Sequence, residues 1–305
     1  MQMNHFGLFF AGDQARAADK HRAREPYQQA WAMLNGQPPL DLIASTVCNG
    51  LRWKLSGDAA AGQRALENLL QTDFHAPAHH AVEGLRRAVG LAHAIELVRD
   101  HPALSADDRG RLMAALDGLS ATLAVTKPES LPVQAWICAL DAAVGVVLDD
   151  PARLERGADG YRAIIDHEVH PDGYLQSVVK APDAFRGTLY TVHGLIAAAE
   201  IARHQGVDLW GHSRRGVSVA TAALYPLYYY YYPEKWPWEE TLTAEDTQHP
   251  FKTHAVYLEM LNLHLNRPTR AIDLILGETR PAFDACGGGL ATLTHAIPPR
   301  RGLFG

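Results

Sequence analysis

The sequence predicts an all-α protein built from antiparallel helical hairpins. Three observations carry that prediction. Apolar residues recur at helical spacing through most of the chain, alternating strand patterns are nearly absent, and short Gly or Pro breaks separate the helical stretches. Helices joined by breaks this short fold back on their neighbours, and roughly ten to twelve of them fit stacked αα-hairpins. No fixed-period consensus of the tetratricopeptide kind runs through the chain.

Taken in order, Leu40, Ile43, Ala44, Val47, Cys48, Leu51 and Leu55 fall at helical spacing, and Gly57 ends that run. Val82, Leu85, Val89, Ala92 and Ile95 mark another helix. Ser105, followed by Ala-Asp-Asp, is a good N-cap for a helix through Leu123. Val133 to Leu148 is apolar on nearly all sides, which predicts an inner, fully packed helix. Asp150-Pro151 opens the next helix, with proline where a missing N–H costs nothing. Pro171-Asp-Gly173 is a turn: Pro171 presets φ and Gly173 accepts a positive one. Tyr174 to Val179 suits an extended or loop segment. From about Thr188 the spacing is helical again, with Leu189, Val192, Ile196 and Ala199 on one face. The Cys286-Gly-Gly-Gly-Leu stretch reads as a turn, since no Gly-Lys-Ser/Thr follows to make a phosphate loop.

The 305 residues are enough for a substantial core in one large domain or two. Apolar residues at 47% and charged residues at 20% are ordinary for a globular protein. No apolar run approaches the ~20 residues needed to span a bilayer, so no membrane insertion is expected. The N-terminus has no basic region followed by a long apolar core, so no signal peptide is visible. Cys48, Cys138 and Cys286 form no disulfide framework, and the first two fall on apolar helical faces as buried free thiols. A net charge of −6 argues against a general nucleic-acid binder. An enzyme acting on a polyanion would need a local basic cleft against this acidic background. Nothing in the sequence calls for a cofactor.

The most distinctive stretch runs from His170 to Trp210. It holds Pro-Asp-Gly-Tyr-Leu, a polar link, then Arg186-Gly-Thr-Leu-Tyr190-Thr-Val-His193-Gly-Leu, and it closes on Gly206-Val-Asp-Leu-Trp210. Upstream, Phe9 to Trp31 reads Phe-Phe-Ala-Gly-Asp and then Arg-Glu-Pro-Tyr-Gln-Gln-Ala-Trp, and Leu51 to Leu70 contains Leu-Ser-Gly-Asp. Downstream lies Trp236-Pro237-Trp238. In this order the motifs cover most of the chain and resemble the alginate-lyase-like polysaccharide lyases. The resemblance implies an incomplete (α/α) toroid, one domain over residues 1–305, and cleavage of a uronate-containing polymer. It also implies a periplasmic or secreted protein, while the absent signal peptide leaves a cytoplasmic one open.

The implied reaction is β-elimination. A base removes the proton α to a uronate carboxyl, charge develops on that carboxylate, and an acid protonates the departing glycosidic oxygen. In the family a tyrosine on the helix after the Pro-Asp-Gly turn is the acid, and for some linkages the base; Tyr190 matches it. A free phenol titrates at about 10, so a basic role needs positive charge nearby. Arg186 lies one helical turn before Tyr190, His193 three residues after it, and Lys180 on the approach loop. Without the resemblance, Tyr190 reads equally as a half-buried residue bonded to a neighbouring loop. Many relatives carry an Asn-His pair before an inner helix to neutralise the substrate carboxylate. The matching stretch, Val125 to Trp136, has neither residue and offers Lys127 as cation and Gln134 as donor instead.

Other candidates surround this centre. His75, His79 and His80 form a His-rich loop that could contact substrate, bind metal or stay solvated, but no His-Glu-x-x-His or nearby thiolate completes a ligand set. His167 and His170 flank the turn, and His249 and His254 stand near a later proline. Tyr174, Trp236 and Trp238 are the aromatic candidates for sugar stacking, with one tryptophan expected to touch substrate and the other to be structural. Five consecutive tyrosines, Tyr228 to Tyr232, cannot all face one side of a helix, so some line a groove or make a dimer contact. Three functions remain in competition. The first is a lyase using Tyr190 with Lys127, Arg186 and His193. The second is a glycoside hydrolase using Asp172 and Asp183, and the third a saccharide binder without turnover.

Overall fold

Polar caps set where the helices begin. The computed structural model describes residues 3–124, 130–238, 241–265, 267 and 269–298. Asp41 accepts from the Ala44 amide at 2.8 Å and opens α3 (Leu42–Ser56), after α1 (Gly12–Lys20) and α2 (Tyr27–Asn35). Gly57 closes α3 in the left-handed conformation, and Asp58 then caps α4 (Ala59–Gln71). The chain continues through α5 (Ala81–Val98), α6 (Ala106–Ala124), α7 (Leu131–Val147) and α8 (Pro151–Glu168). Ser105 and the Asp150-Pro151 pair cap α6 and α8 as the sequence predicts. After α9 (Ala184–His204) come α10 (Val219–Leu224), α11 (Leu227–Tyr231), α12 (Ala244–His254), α13 (Val256–His264), α14 (Arg270–Thr279) and α15 (Ala291–Thr294).

The hairpins stack as an inner and an outer layer. Helices α3, α5, α7, α9 and α13 pack side by side, while α4, α6 and α8 each lie outside their hairpin partner. Burial follows that division. Outer α6 buries only Leu112, Leu116 and Ser120, a narrow stripe, whereas α7 is buried on nearly all sides. In inner α9 every residue from Thr188 to Ala202 is buried except Tyr190. The architecture is the all-α toroid. No helix among the described residues is long and apolar enough to cross a membrane.

One local boundary differs from the sequence expectation. Helix α9 starts at Ala184, not near Thr188, so Arg186 already lies in its first turn. Ala184 and Phe185 are buried and anchor that turn, yet two apolar residues in a polar link leave too little periodicity to be read. Of the two alternatives for Tyr174–Val179 the loop is the one found, and it runs into a turn of 3₁₀ helix, Val178–Lys180. Cys48 and Cys138 are buried free thiols, pushed up to about 12 by burial.

A small hairpin near the C-terminus enters the centre of the toroid. Strand β1 (Phe283–Asp284) pairs antiparallel with β2 (Gly289–Leu290), and the Gly-rich stretch is the turn between them. The glycines let backbone pass where side chains cannot. A Cβ on Gly287 would lie 2.4 Å from the nearest atom of the His193 ring, and one on Gly288 would lie 2.6 Å from Val256. Gly288 also has φ near +145°, outside the range of L side chains. Gly288→Ala is therefore expected to cost about 2–4 kcal/mol in urea unfolding; a loss below about 0.5 kcal/mol would mean the hairpin is not held this tightly.

Candidate active site

A cavity of about 540 Å³ opens where the N-terminal ends of α5, α7 and α9 meet the loop after the Pro-Asp-Gly turn. Helix α5 contributes Glu83 with His80 at its N-cap, and α7 contributes Leu131 and Pro132 with Ser130 at its N-cap. The loop contributes Ser177, Val178 and Ala181 to Asp183, and α9 contributes Arg186, Gly187 and Tyr190. The Tyr190 hydroxyl has no hydrogen-bond partner among the described residues. Its backbone carbonyl, by contrast, is fixed by the Trp136 indole N–H at 2.9 Å.

Beneath Tyr190 lies a charged floor. The Arg86 guanidinium sits 5.4 Å from the Tyr190 ring centre and 5.3 Å from that of Trp136. It donates to Asp284 of the central hairpin at 2.6 Å, and Asp284 also accepts from the Cys286 amide at 2.9 Å. Burial opposes both charges. The Asp284 carboxylate nevertheless raises Arg86 above the usual guanidinium value, and Arg86 together with His193 holds Asp284 below the usual carboxylate range. The pair is thus charged in the interior.

Two histidines complete the floor. The His193 and His254 Nδ1 atoms are 2.9 Å apart, and His193 Nε2 is 3.0 Å from the Gly287 carbonyl. A carbonyl only accepts, so His193 Nε2 carries a proton. Burial holds His193 down to about 4, which makes it neutral near pH 7 and leaves Nδ1 as an acceptor. His254 Nδ1–H then donates to it, and this assignment leaves His254 Nε2 unprotonated. Burial, with the charges of His193, Arg86 and Arg186, holds His254 well below its ordinary value. The His254 ring meets the Tyr190 ring edge-on, with centres 4.5 Å apart.

Such buried neutral histidines make stability pH-dependent. His193 is lowered to about 4, His93 to about 3, and His254 and His295 are lowered as well, each mainly by burial. Unfolding restores an ordinary value near 6.5, so below it the unfolded chain binds more protons than the folded one. The urea midpoint should therefore fall steadily from about pH 6.5 towards pH 4, and a flat profile over that range would contradict neutral burial.

Among the residues singled out in the sequence, Tyr190, Arg186 and His80 line the cavity. The Arg186 side chain is 56% exposed and pairs with Asp183 at 3.5 Å. His193 does not line it: it is fully buried beneath, bonded to His254 and Gly287, with Asp284 as its neighbouring carboxylate at 3.9 Å. Gln134 faces away, into a different cavity of about 500 Å³ between α7 and α8 beside Asp141 and Arg156. Ile137, Cys138 and Asp141, three, four and seven residues after Gln134, line that same cavity and mark the outer side of α7. Lys180 and His79 are exposed and do not line the cavity. Lys127 lies outside the described residues.

Tyr174, Trp236 and Trp238 belong to an aromatic cluster that holds the Pro-Asp-Gly turn. Tyr174 stacks on His170 with ring centres 4.2 Å apart and meets Trp238 edge-on at 5.0 Å. The Trp238 indole donates to the Tyr225 hydroxyl at 3.1 Å. Trp236 is 7% exposed and packed between Phe185 and Tyr229. In the tyrosine run Tyr230 is buried, while Tyr228, Tyr231 and Tyr232 are exposed. Asp183 lines the cavity but Asp172 does not, so that pair does not span it as a hydrolase would require. No three His, Cys, Asp or Glu side chains among the described residues converge as metal ligands. Nothing in the spacing around Arg86 or Asp284 marks either as a site residue. The one available signal for Asp284 was the glycine run behind it, a mark of close backbone approach.

The sequence model of the alginate lyase family matches residues 40–236. Among solved structures, alginate lyase A1-III from Sphingomonas species A1 is similar with a TM-score of 0.70 at 16% identity, covering 90% of this chain and 79% of that one. A histidine-to-alanine variant of A1-III complexed with tetrasaccharide gives 0.69 at 18% identity, over 85% and 75% of the two chains. An alginate lyase from Bacteroides ovatus gives 0.64 at 13% identity, over 97% and 100%. At such identities the structural likeness speaks for the fold. No curated protein sequence matches this chain. With the family model spanning well over half its length, on the toroid described above, this chain belongs to the alginate lyase family of polysaccharide lyases.

Proposed function

We propose that this protein cleaves a uronate-containing acidic polysaccharide, of the alginate/polymannuronate or glucuronan type, by β-elimination with Tyr190 transferring the protons. The observation that carries the reading is the setting of Tyr190. It is the one residue between Thr188 and Ala202 that escapes burial, and it lines a saccharide-sized cavity beside Arg186 and above Arg86. That A1-III has been seen with a tetrasaccharide supports an oligosaccharide ligand here.

In the proposed reaction the proton α to the carboxyl leaves, its electron pair forms the new C=C bond, and the glycosidic C–O bond breaks. Tyr190 protonates the departing oxygen. To act as the base as well, Tyr190 starts as the phenolate, whose charge the Arg86 cation beneath its ring attracts; it takes the α proton, becomes neutral, and passes that proton to the departing oxygen. Arg186, at the cavity wall, holds the substrate carboxylate as charge develops on it. His80 and Ser130 stand on the same wall and supply the hydrogen bonds that the missing Asn-His pair would give. In this reading residues 1–305 act as one catalytic domain, and a polymeric substrate suits a periplasmic or secreted protein.

Mass spectrometry of the products from alginate, polymannuronate, glucuronan, hyaluronan and pectate tests the proposal. New chain ends lighter by one water than the hydrolysis product are expected from at least one polymer. Hydrated ends would mean hydrolysis instead, and saccharide binding without new ends would mean a non-catalytic relative.

A further inference from the structure

A second basic cavity lies on the other side of the loop that walls the Tyr190 cavity. Its volume is about 480 Å³, and its lining includes His167, His170, Gln176, Arg214 and Arg215 around one acid, Asp166. Both Asp166 oxygens are occupied: one accepts from His212 at 2.9 Å, the other from Arg214 at 3.1 Å. The acid therefore fixes Arg214 without also engaging Arg215. Arg215 makes no ion pair among the described residues; of the next carboxylates along, Glu168 accepts from the Ser177 amide at 3.0 Å and Asp172 turns to His170 at 3.4 Å. The protein as a whole carries −6, so two guanidiniums facing one saturated acid in a cavity form a local reversal of charge.

The backbone singles out Arg215 further. Arg214 and Val217 exchange two hydrogen bonds of 3.0 Å, closing a two-residue turn of Arg215 and Gly216. Both turn residues have positive φ, +54° and +79°. Such a turn favours Asn, Asp or Gly at its first position, and an arginine there is conformationally costly. Strain of this kind, on a residue aimed into a cavity, points to a role for the side chain.

The two cavities are close neighbours. Gln176 lines this one, and Ser177 and Val178 line the other, so one peptide unit separates their walls. His170, stacked on Tyr174, lies on the same wall.

We propose that Arg214 and Arg215 form a second binding site that takes the carboxylate of a uronate further along the chain from the bond held at Tyr190. The proposal rests on an acidic polysaccharide as ligand, as argued above. It makes the site a determinant of chain length: short oligomers fill only the Tyr190 cavity, and long ones reach both.

Arg215→Gly tests it cleanly, because glycine adopts the left-handed turn without strain and the melting temperature should stay the same or rise. Binding is measured by calorimetry with short and long oligomannuronates and oligoglucuronates, and with a sulfated polymer of neutral sugars. Loss of one ionic contact should weaken the long chains about threefold to tenfold and leave the short ones unchanged. Equal affinity of wild type and variant for long chains, or equal loss at both lengths, would overturn the site. Tight binding of the sulfated polymer through Arg215 would overturn its assignment to carboxylates. Because binding is read without turnover, the two proposals fail separately. An Arg215 effect with no cleavage of any polymer sinks the lyase reading alone, whereas cleavage with no Arg215 effect sinks this one alone.

Discussion

Tyr190→Phe is expected to lower the elimination rate by about 10²–10⁴-fold while leaving saccharide affinity and melting temperature close to wild type. The hydroxyl makes no hydrogen bond among the described residues, so its removal orphans nothing. The contacts that position the residue survive: Trp136 holds the backbone carbonyl, and a phenylalanine ring still meets Arg86 and His254. A half-buried structural tyrosine would behave in the opposite way, losing stability and keeping its rate. Kinetics and thermal unfolding of the same preparation separate the two roles.

Glu200→Gln should destabilise the fold by about 3–5 kcal/mol in urea, the typical cost of breaking a buried charge network from one side. Glu200 lies fully buried on α9. It accepts from His264 at 2.9 Å, His295 at 3.0 Å, the Trp210 indole at 3.1 Å and Arg203 at 2.6 Å. One carboxylate thereby ties α9 to α13, to the residue after α15 and to the Gly206–Trp210 segment. A glutamine keeps the shape but turns an N–H₂ towards groups that can only donate or would have to change tautomer. Burial works against the charge, yet hydrogen bonds from His204, His264 and His295 hold Glu200 well below its ordinary 4.5. Its contribution is present above that value and lost as the pH falls through the lower, folded one. The variant should therefore lose part of the acid sensitivity as well as stability. A loss under about 1 kcal/mol would show that the surrounding donors find other partners.

The fold was legible where one physical signal dominates. The nearly all-apolar run from Val133 to Leu148 became the inner helix α7, Gly57 closed α3, and Asp150-Pro151 opened α8. The start of α9 was not, because Ala184 and Phe185 alone mark its buried face within a polar link. The Gly206-Val-Asp-Leu-Trp210 motif was legible as a family mark but not in its role, which is to bring Trp210 onto His264 and Glu200. For the site, Tyr190 and Arg186 could be found because they share one helix with its approach loop. Arg86, His254 and Asp284 come from three distant segments, and only tertiary packing sets them beneath Tyr190. Gln134 and His193 were misplaced for a related reason: spacing along a helix gives a face but does not say which neighbour covers it.

The most direct test of the account is a continuous ultraviolet assay for unsaturated uronate, run on the polyuronate panel with wild type and Tyr190→Phe side by side. The account predicts a steady rise with wild type on at least one polymer and a near-flat trace with the variant, which still binds that polymer. A rise of equal slope from both proteins would contradict it, since elimination would then proceed without the phenol at the centre of the cavity.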